Sequence, residues 1–201
     1  MSKFVKIYEL ILTFFYVGKI KKAPGTFGSV AGVLLWFLID QSHLSIIDLL
    51  FSYKDGLDII FYLFFVDIFI NLSWLIFVIL LVIIGSLMVK SYSKKFKTID
   101  HKSIVLDEVV GQIITIQLSL FMLGFFRVEF VQNSLHYFVF LLLSFLLFRF
   151  FDIYKPFLIG YVDKKIKNGF GVFLDDILAG VFSAITIILI FYLSAILGFN
   201  F

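Results

Sequence analysis

From Leu72 to Val89 the chain carries no charged side chain, and the runs Val109 to Phe126 and Ile177 to Phe199 are likewise uncharged. A helix rises 1.5 Å per residue, so roughly 20 residues cross the ~30 Å hydrocarbon core of a bilayer, and these three runs are span candidates on length alone. Lipid offers no partner to backbone N–H and C=O groups, which leaves helices and closed barrels as the only spanning structures. A barrel strand alternates polar and apolar residues over about ten positions. The apolar stretches here are continuous, so the sequence predicts an all-α, polytopic transmembrane helical bundle. Composition agrees: 62% of residues are hydrophobic and mean hydropathy is +1.09, against about 45–50% apolar residues in soluble domains.

Three other apolar runs are less regular. Leu135 to Phe148 reaches spanning length if it starts near Ser134 and continues to Phe151. Phe27 to Ile39 is short and runs into Asp40-Gln41-Ser42-His43, so it crosses either a thinned bilayer or with the help of the next apolar turn. Leu57 to Ile70 is interrupted by Asp58 and Asp67 and followed by Asn71, and is expected to be a helix lying at the outer surface or packed there against the others. Lys3, Lys6 and Glu9 among apolar residues make the N-terminal segment an expected amphipathic interfacial helix rather than a secretory signal. The result is one domain over residues 1–201 with about five spans. Charge tests this arrangement independently. All but Lys54 and Arg127 of the 17 basic residues fall before the first span, between the second and third, or after the fourth. The positive-inside rule then puts those loops and the N-terminus on the cytoplasmic side, with the C-terminus outside.

The net charge of +3 is used up by this topology, and no basic patch is interleaved with base-stacking aromatics, so nucleic acid is not an expected partner. There is no cysteine, which removes disulfides, zinc-thiolate sites and cysteine nucleophiles together.

With the topology drawn, three polar clusters meet on one face. Ala-Pro-Gly-Thr-Phe-Gly-Ser at 23 to 29 runs into a helix whose free N–H groups suit a phosphate, although Gly28 and Gly32 also have the spacing of helix packing. Asp107 and Glu108 stand at the mouth of the third span, in the segment Asp100-His101-Lys102-Ser103-Ile104-Val105-Leu106 onward. Acids there either favour the helix dipole or do chemistry. Arg149, Asp152 and Lys155 share one side of a helix that Pro156 ends, and Asp175-Asp176 enter the last span beside Ala179 and Gly180.

Asp107, Glu108, Asp175 and Asp176 are the expected metal ligands, an all-oxygen set suited to Mg²⁺. Thr26, Ser29, Arg149 and Lys155 are the expected phosphate donors. Asp152, Asp100 and His101 are the candidate catalytic acid–base groups. Metal and phosphate ligands at headgroup depth point to phosphoryl chemistry on a lipid. A histidine-nucleophile design lacks its second inside histidine, and the Asp-x-Asp-x-Thr/Val signature of aspartyl phosphatases is absent. The other open reading is a small transporter or channel that uses the carboxylates as an ion path.

Four ordered segments carry a resemblance: residues 23 to 29, Asp-His-Lys-Ser-Ile-Val-Leu-Asp-Glu-Val-Val-Gly at 100 to 111, Phe-Arg-Phe-Phe-Asp-Ile-Tyr-Lys-Pro at 148 to 156, and Gly-Phe-Gly-Val-Phe-Leu-Asp-Asp-Ile-Leu-Ala-Gly at 169 to 180. The chain resembles the phosphatidylglycerophosphatase A family of bacterial lipid phosphatases. That resemblance implies a Mg²⁺-dependent hydrolase with phosphatidylglycerophosphate as its membrane lipid substrate. It leaves open whether the protein forms a homo-oligomer, and it gives no role to the stretch from Asp40 to Asn71.

Overall fold

A computed structural model describes residues 3–52, 59–94, 99, 101–126 and 134–197. Its seven α-helices are α1 (Lys3–Leu12), α2 (Pro24–Ser52), α3 (Ile59–Ser93), α4 (Leu106–Phe125), α5 (Ser134–Tyr154), α6 (Leu158–Lys165) and α7 (Gly171–Ile196), with a 3-10 turn at Val17–Lys19. Among the described residues, four stretches are long and apolar enough to cross a membrane: Ile68–Ser93, Leu106–Phe125, Leu135–Tyr154 and Gly171–Ile196. The expected fifth, α2, has 29 residues. That is ~43 Å of helix, but Asp40, Gln41 and His43 interrupt its apolar run. α2 continues as helix through these polar residues and is not one of the four stretches. At the other end of the chain order, α1 forms as expected, with Leu12 buried and Glu9 bound to Lys19 at 2.9 Å.

The segment Leu57 to Ile70, expected as a helix at the outer surface or packed there against the others, is helical in its described part but is not a helix of its own. From Ile59 it is the first third of the continuous helix α3. No proline falls within α3, and its polar Asn71 accepts a hydrogen bond from Gln117 Nε2 of α4 at 2.9 Å, so nothing there breaks the helix. Lys54 and Arg127, the two basic residues left to the outer side, lie outside the described residues.

The centre of the bundle is the α4–α7 pair, with α2, α3 and α5 around it. Gly111 and Gly180 make that pairing close. A Cβ on Gly111 would stand 2.7 Å from the Asp176 carbonyl oxygen, and one on Gly180 2.6 Å from the Gly111 carbonyl oxygen. Any larger residue would push the backbones apart. Trp36, Trp74, Ile113, Phe140 and Ile187 form a core that draws on five helices. A second core joins Leu12, Val89, Val110 and Phe173. Gly28 and Gly32 do serve packing: a Cβ at either would come within 2.9 Å of Val105 Cβ or the Val109 carbonyl oxygen of the α4 strip.

Candidate active site

The close α4–α7 crossing sets two acid-bearing helix ends side by side. Asp107 and Glu108 occupy the first turn of α4, where the helix dipole favours them. Asp176 lies just over one turn into α7. Carboxylate oxygens of Asp107, Glu108 and Asp176 all fall within 4.8 Å of one another. Asp107 and Asp176 are buried, and Glu108 Oε2 is a buried oxygen with no hydrogen-bond partner. Three buried carboxylates this close repel one another strongly in a medium of low dielectric constant unless a cation or protons offset them. The donors are oxygens only and one is unsatisfied, so the set fits a hard divalent cation such as Mg²⁺.

The start of α2 closes one side of this trio. A Cβ on Gly25 would collide with Glu108 Oε1 and come within 3.2 Å of Arg149 Nη1, so a larger residue there would displace these two side chains. Ser29, fully buried one turn on, donates from Oγ to the Gly25 carbonyl at 3.0 Å and accepts from Arg149 Nη1 at 3.4 Å. Arg149 Nη1 also donates to Asp152 Oδ2, a largely buried ion pair along α5. Its Nε is buried with no partner, a donor still to be used. Thr26, half-buried, donates its backbone N–H to the Ala23 carbonyl at 3.0 Å.

The three sequence clusters therefore meet: α2, α4, α5 and α7 each bring polar groups to one end of the bundle. The family described as Phosphatidylglycerophosphatase A matches residues 10–191, which takes in every one of them. The chain belongs to this family. A phosphatidylglycerophosphatase A of Haemophilus influenzae is 34% identical over 184 residues, 92% of this chain and 88% of its own. That of Escherichia coli K12 is 26% identical over 180 residues, covering 88% and 79%. No solved structure matches the chain.

Not every expected residue of this phosphatidylglycerophosphatase A homologue joins the trio. Asp175 turns the other way, and its Oδ2 accepts from Lys155 Nζ at 2.5 Å while its Oδ1 is buried without a partner. Lys155 is held a second time by Asp163 of α6, at 3.1 Å. Burial pulls the Lys155 pKa down, but the bonds and charges of Asp175 and Asp163 outweigh it and hold the ammonium above the usual lysine value. His101 is occupied locally: its Nδ1 accepts from the Ser103 backbone N–H at 3.2 Å and lies 2.7 Å from Ser103 Oγ, bracing the loop that leads into α4. Asp100 lies outside the described residues.

Asp163 is the site residue that the sequence reading passed over. In Val-Asp-Lys-Lys it looks like any solvated charge, and only the turn between α5 and α6 brings it to Lys155. That turn is unusual, since Lys155 and Phe157 both have positive φ, 44° and 46°. Pro156 sits between them, and the restriction that proline places on its predecessor helps to end α5 at Tyr154.

Proposed function

We propose that this protein is a lipid phosphatase that hydrolyses the terminal monoester of phosphatidylglycerophosphate, giving phosphatidylglycerol and inorganic phosphate, with Mg²⁺ as cofactor. The observation that carries the reading is the buried trio Asp107, Glu108 and Asp176 beside an arginine with an unused buried donor. Family membership and the names of both relatives support the substrate.

In this reading Asp107, Glu108 and Asp176 hold the Mg²⁺, which when bound supplies Lewis-acid polarisation of a phosphoryl oxygen. Arg149 binds the phosphate through Nε and its outer edge, while Asp152 and Ser29 fix the guanidinium plane. Lys155 adds a second positive charge against the doubly charged monoester. Thr26, at the start of α2, contributes its hydroxyl and the dipole of a helix N-terminus to the glycerol-phosphate end, and Ser29 acts through the guanidinium it holds. Water attacks phosphorus, the P–O bond to glycerol breaks, and the leaving alkoxide takes up a proton. Asp152, outside the trio, is assigned to accept the water proton and to return it to the leaving alkoxide. Asp175, which sequence alone grouped with the metal ligands, is assigned to hold Lys155 in place.

The protein is further read as an inner-membrane enzyme whose site faces the cytoplasm, because Lys19, Lys21, Lys22, Lys90, Lys94 and Lys102 flank the same helix ends as the carboxylates. An ion path would place its acids near the bilayer midplane on broken helices. These acids lie within the first two turns of unbroken ones. Purified protein in detergent should release phosphate from phosphatidylglycerophosphate, stop with chelator and recover with Mg²⁺. Equal or faster turnover of phosphatidic acid or undecaprenyl pyrophosphate would reject this substrate, and no phosphate release from any of the three would reject the phosphatase reading.

A further inference from the structure

Apolar surface on a membrane span needs no explanation, because lipid covers it. The connection between α5 and α7 is not a span, yet it exposes Phe157 at 90%, Tyr161 at 60% and about half of Leu158. The opposite side of α6 is buried, with Ile159 packed among Phe148 of α5 and Ala179 of α7. α6 is therefore apolar on two sides. One is satisfied by the bundle and the other meets nothing within the described residues.

Three observations identify what meets it. First, α5 ends at Tyr154 and α7 begins at Gly171, both spans, so α6 sits where spans leave the bilayer, at headgroup depth. Second, the exposed residues of the last turns of α5, Phe150, Ile153 and Tyr154, lead straight into Phe157, so the lipid-facing side of the span continues onto the connection. Third, the charges are one-sided. From 153 to 170 the only acid is Asp163, and it is bound to Lys155, whereas Lys164, Lys165 and Lys167 are exposed. Aromatic side chains flanked by lysines are what an anionic lipid surface takes up, with rings in the interface and ammonium groups reaching the phosphates.

We propose that α6 and the Phe157 turn before it form an interfacial anchor, seated in the headgroup layer of the leaflet at the site's end of the bundle and facing its anionic lipids. The inference rests on the membrane fold, not on the phosphatase reading. It does bear on that reading, because the bundle side of the anchor carries Asp163, which grips Lys155 at 3.1 Å. Membrane contact then fixes the height of Lys155 relative to the lipid phosphates.

The chain has no cysteine, so Phe157→Cys and, on the polar side of α6, Lys164→Cys give single attachment points for an environment-sensitive fluorophore. The proteins would be placed in vesicles of phosphatidylethanolamine and phosphatidylglycerol containing a nitroxide-headgroup lipid. The expected result is quenching at position 157 about twofold or more above that at 164, unchanged on tenfold dilution with lipid. Equal quenching at the two positions, or quenching at 157 by aqueous iodide alone, would overturn the anchor. Shielding at 157 that disappears on dilution would show that a second copy covers this face, and would overturn it as well. In a kinetic arm, Phe157→Ser with Tyr161→Ser should raise KM for the lipid about tenfold while kcat and turnover of a short-chain soluble phosphomonoester hold. An unchanged KM for the lipid would count against the anchor. A probe quenched as expected on a protein that cleaves no lipid phosphate would uphold the anchor and sink the phosphatase reading.

Discussion

Two groups of polar residues interrupt the apolar helices, and they are built on opposite principles. Deep in the bundle, Trp36 Nε1 donates to Gln117 Oε1 at 3.0 Å and Gln117 Nε2 donates to Asn71 Oδ1 at 2.9 Å, a chain of neutral groups that satisfy one another across α2, α4 and α3. Trp36 also stacks on Trp74 with ring centroids 6.2 Å apart. At the end of the bundle, Asp107, Glu108 and Asp176 are like charges brought within 4.8 Å, with an oxygen of Glu108 left unpaired. The first arrangement lowers the energy of the fold by itself. The second raises it unless something else binds, which is the mark of a site.

The sharpest test of this contrast is Asp176→Asn, which keeps shape and removes one charge. Phosphate release should fall by about 10²–10³-fold or more, while the melting temperature holds or rises, because buried like-charge repulsion is relieved. Normal Mg²⁺-dependent turnover in this variant would show that the trio is not the site. Arg149→Lys comes next: a point charge replaces the planar fork that contacts Ser29 and Asp152, and kcat/KM should drop about 10–100-fold with little loss of stability. A drop no larger than that of an exposed lysine variant such as Lys165→Ala would remove Arg149 from the substrate contacts.

Gly111→Ala tests the crossing rather than the chemistry. Its new methyl meets the Asp176 carbonyl at 2.7 Å, so α4 and α7 must part. Stability should fall by about 1–3 kcal/mol, and activity should fall with it because the trio spreads. The smallest effect is expected from Gln117→Leu, which breaks the interior relay. Intramembrane hydrogen bonds average about 0.6 kcal/mol each, so stability should drop by roughly 1 kcal/mol and turnover should stay within about twofold. A large activity loss in Gln117→Leu with the fold intact would erase the distinction between the two groups.

The uncharged runs around Leu72, Val109 and Ile177 determined by themselves that the chain is a helical membrane bundle, because lipid leaves the backbone no other way to pair its polar groups. The four ordered segments pointed to the family, and the acids within them to the end of the bundle where the carboxylates of Asp107, Glu108 and Asp176 gather. Sequence did not determine how five acids divide. Asp175 and Asp176 are neighbours in the chain, but successive helical residues point about 100° apart, so one meets Asp107 and Glu108 and the other meets Lys155. Nor did it assign Asp163, whose role depends on a turn with two residues of positive φ, or His101, which the Ser103 contacts tie to its own loop. Spans are decided by local hydrophobicity, which can be read residue by residue. The partners of a charge are decided by helix rotation and by crossings such as Gly111 on Gly180, which exist only once distant segments have packed.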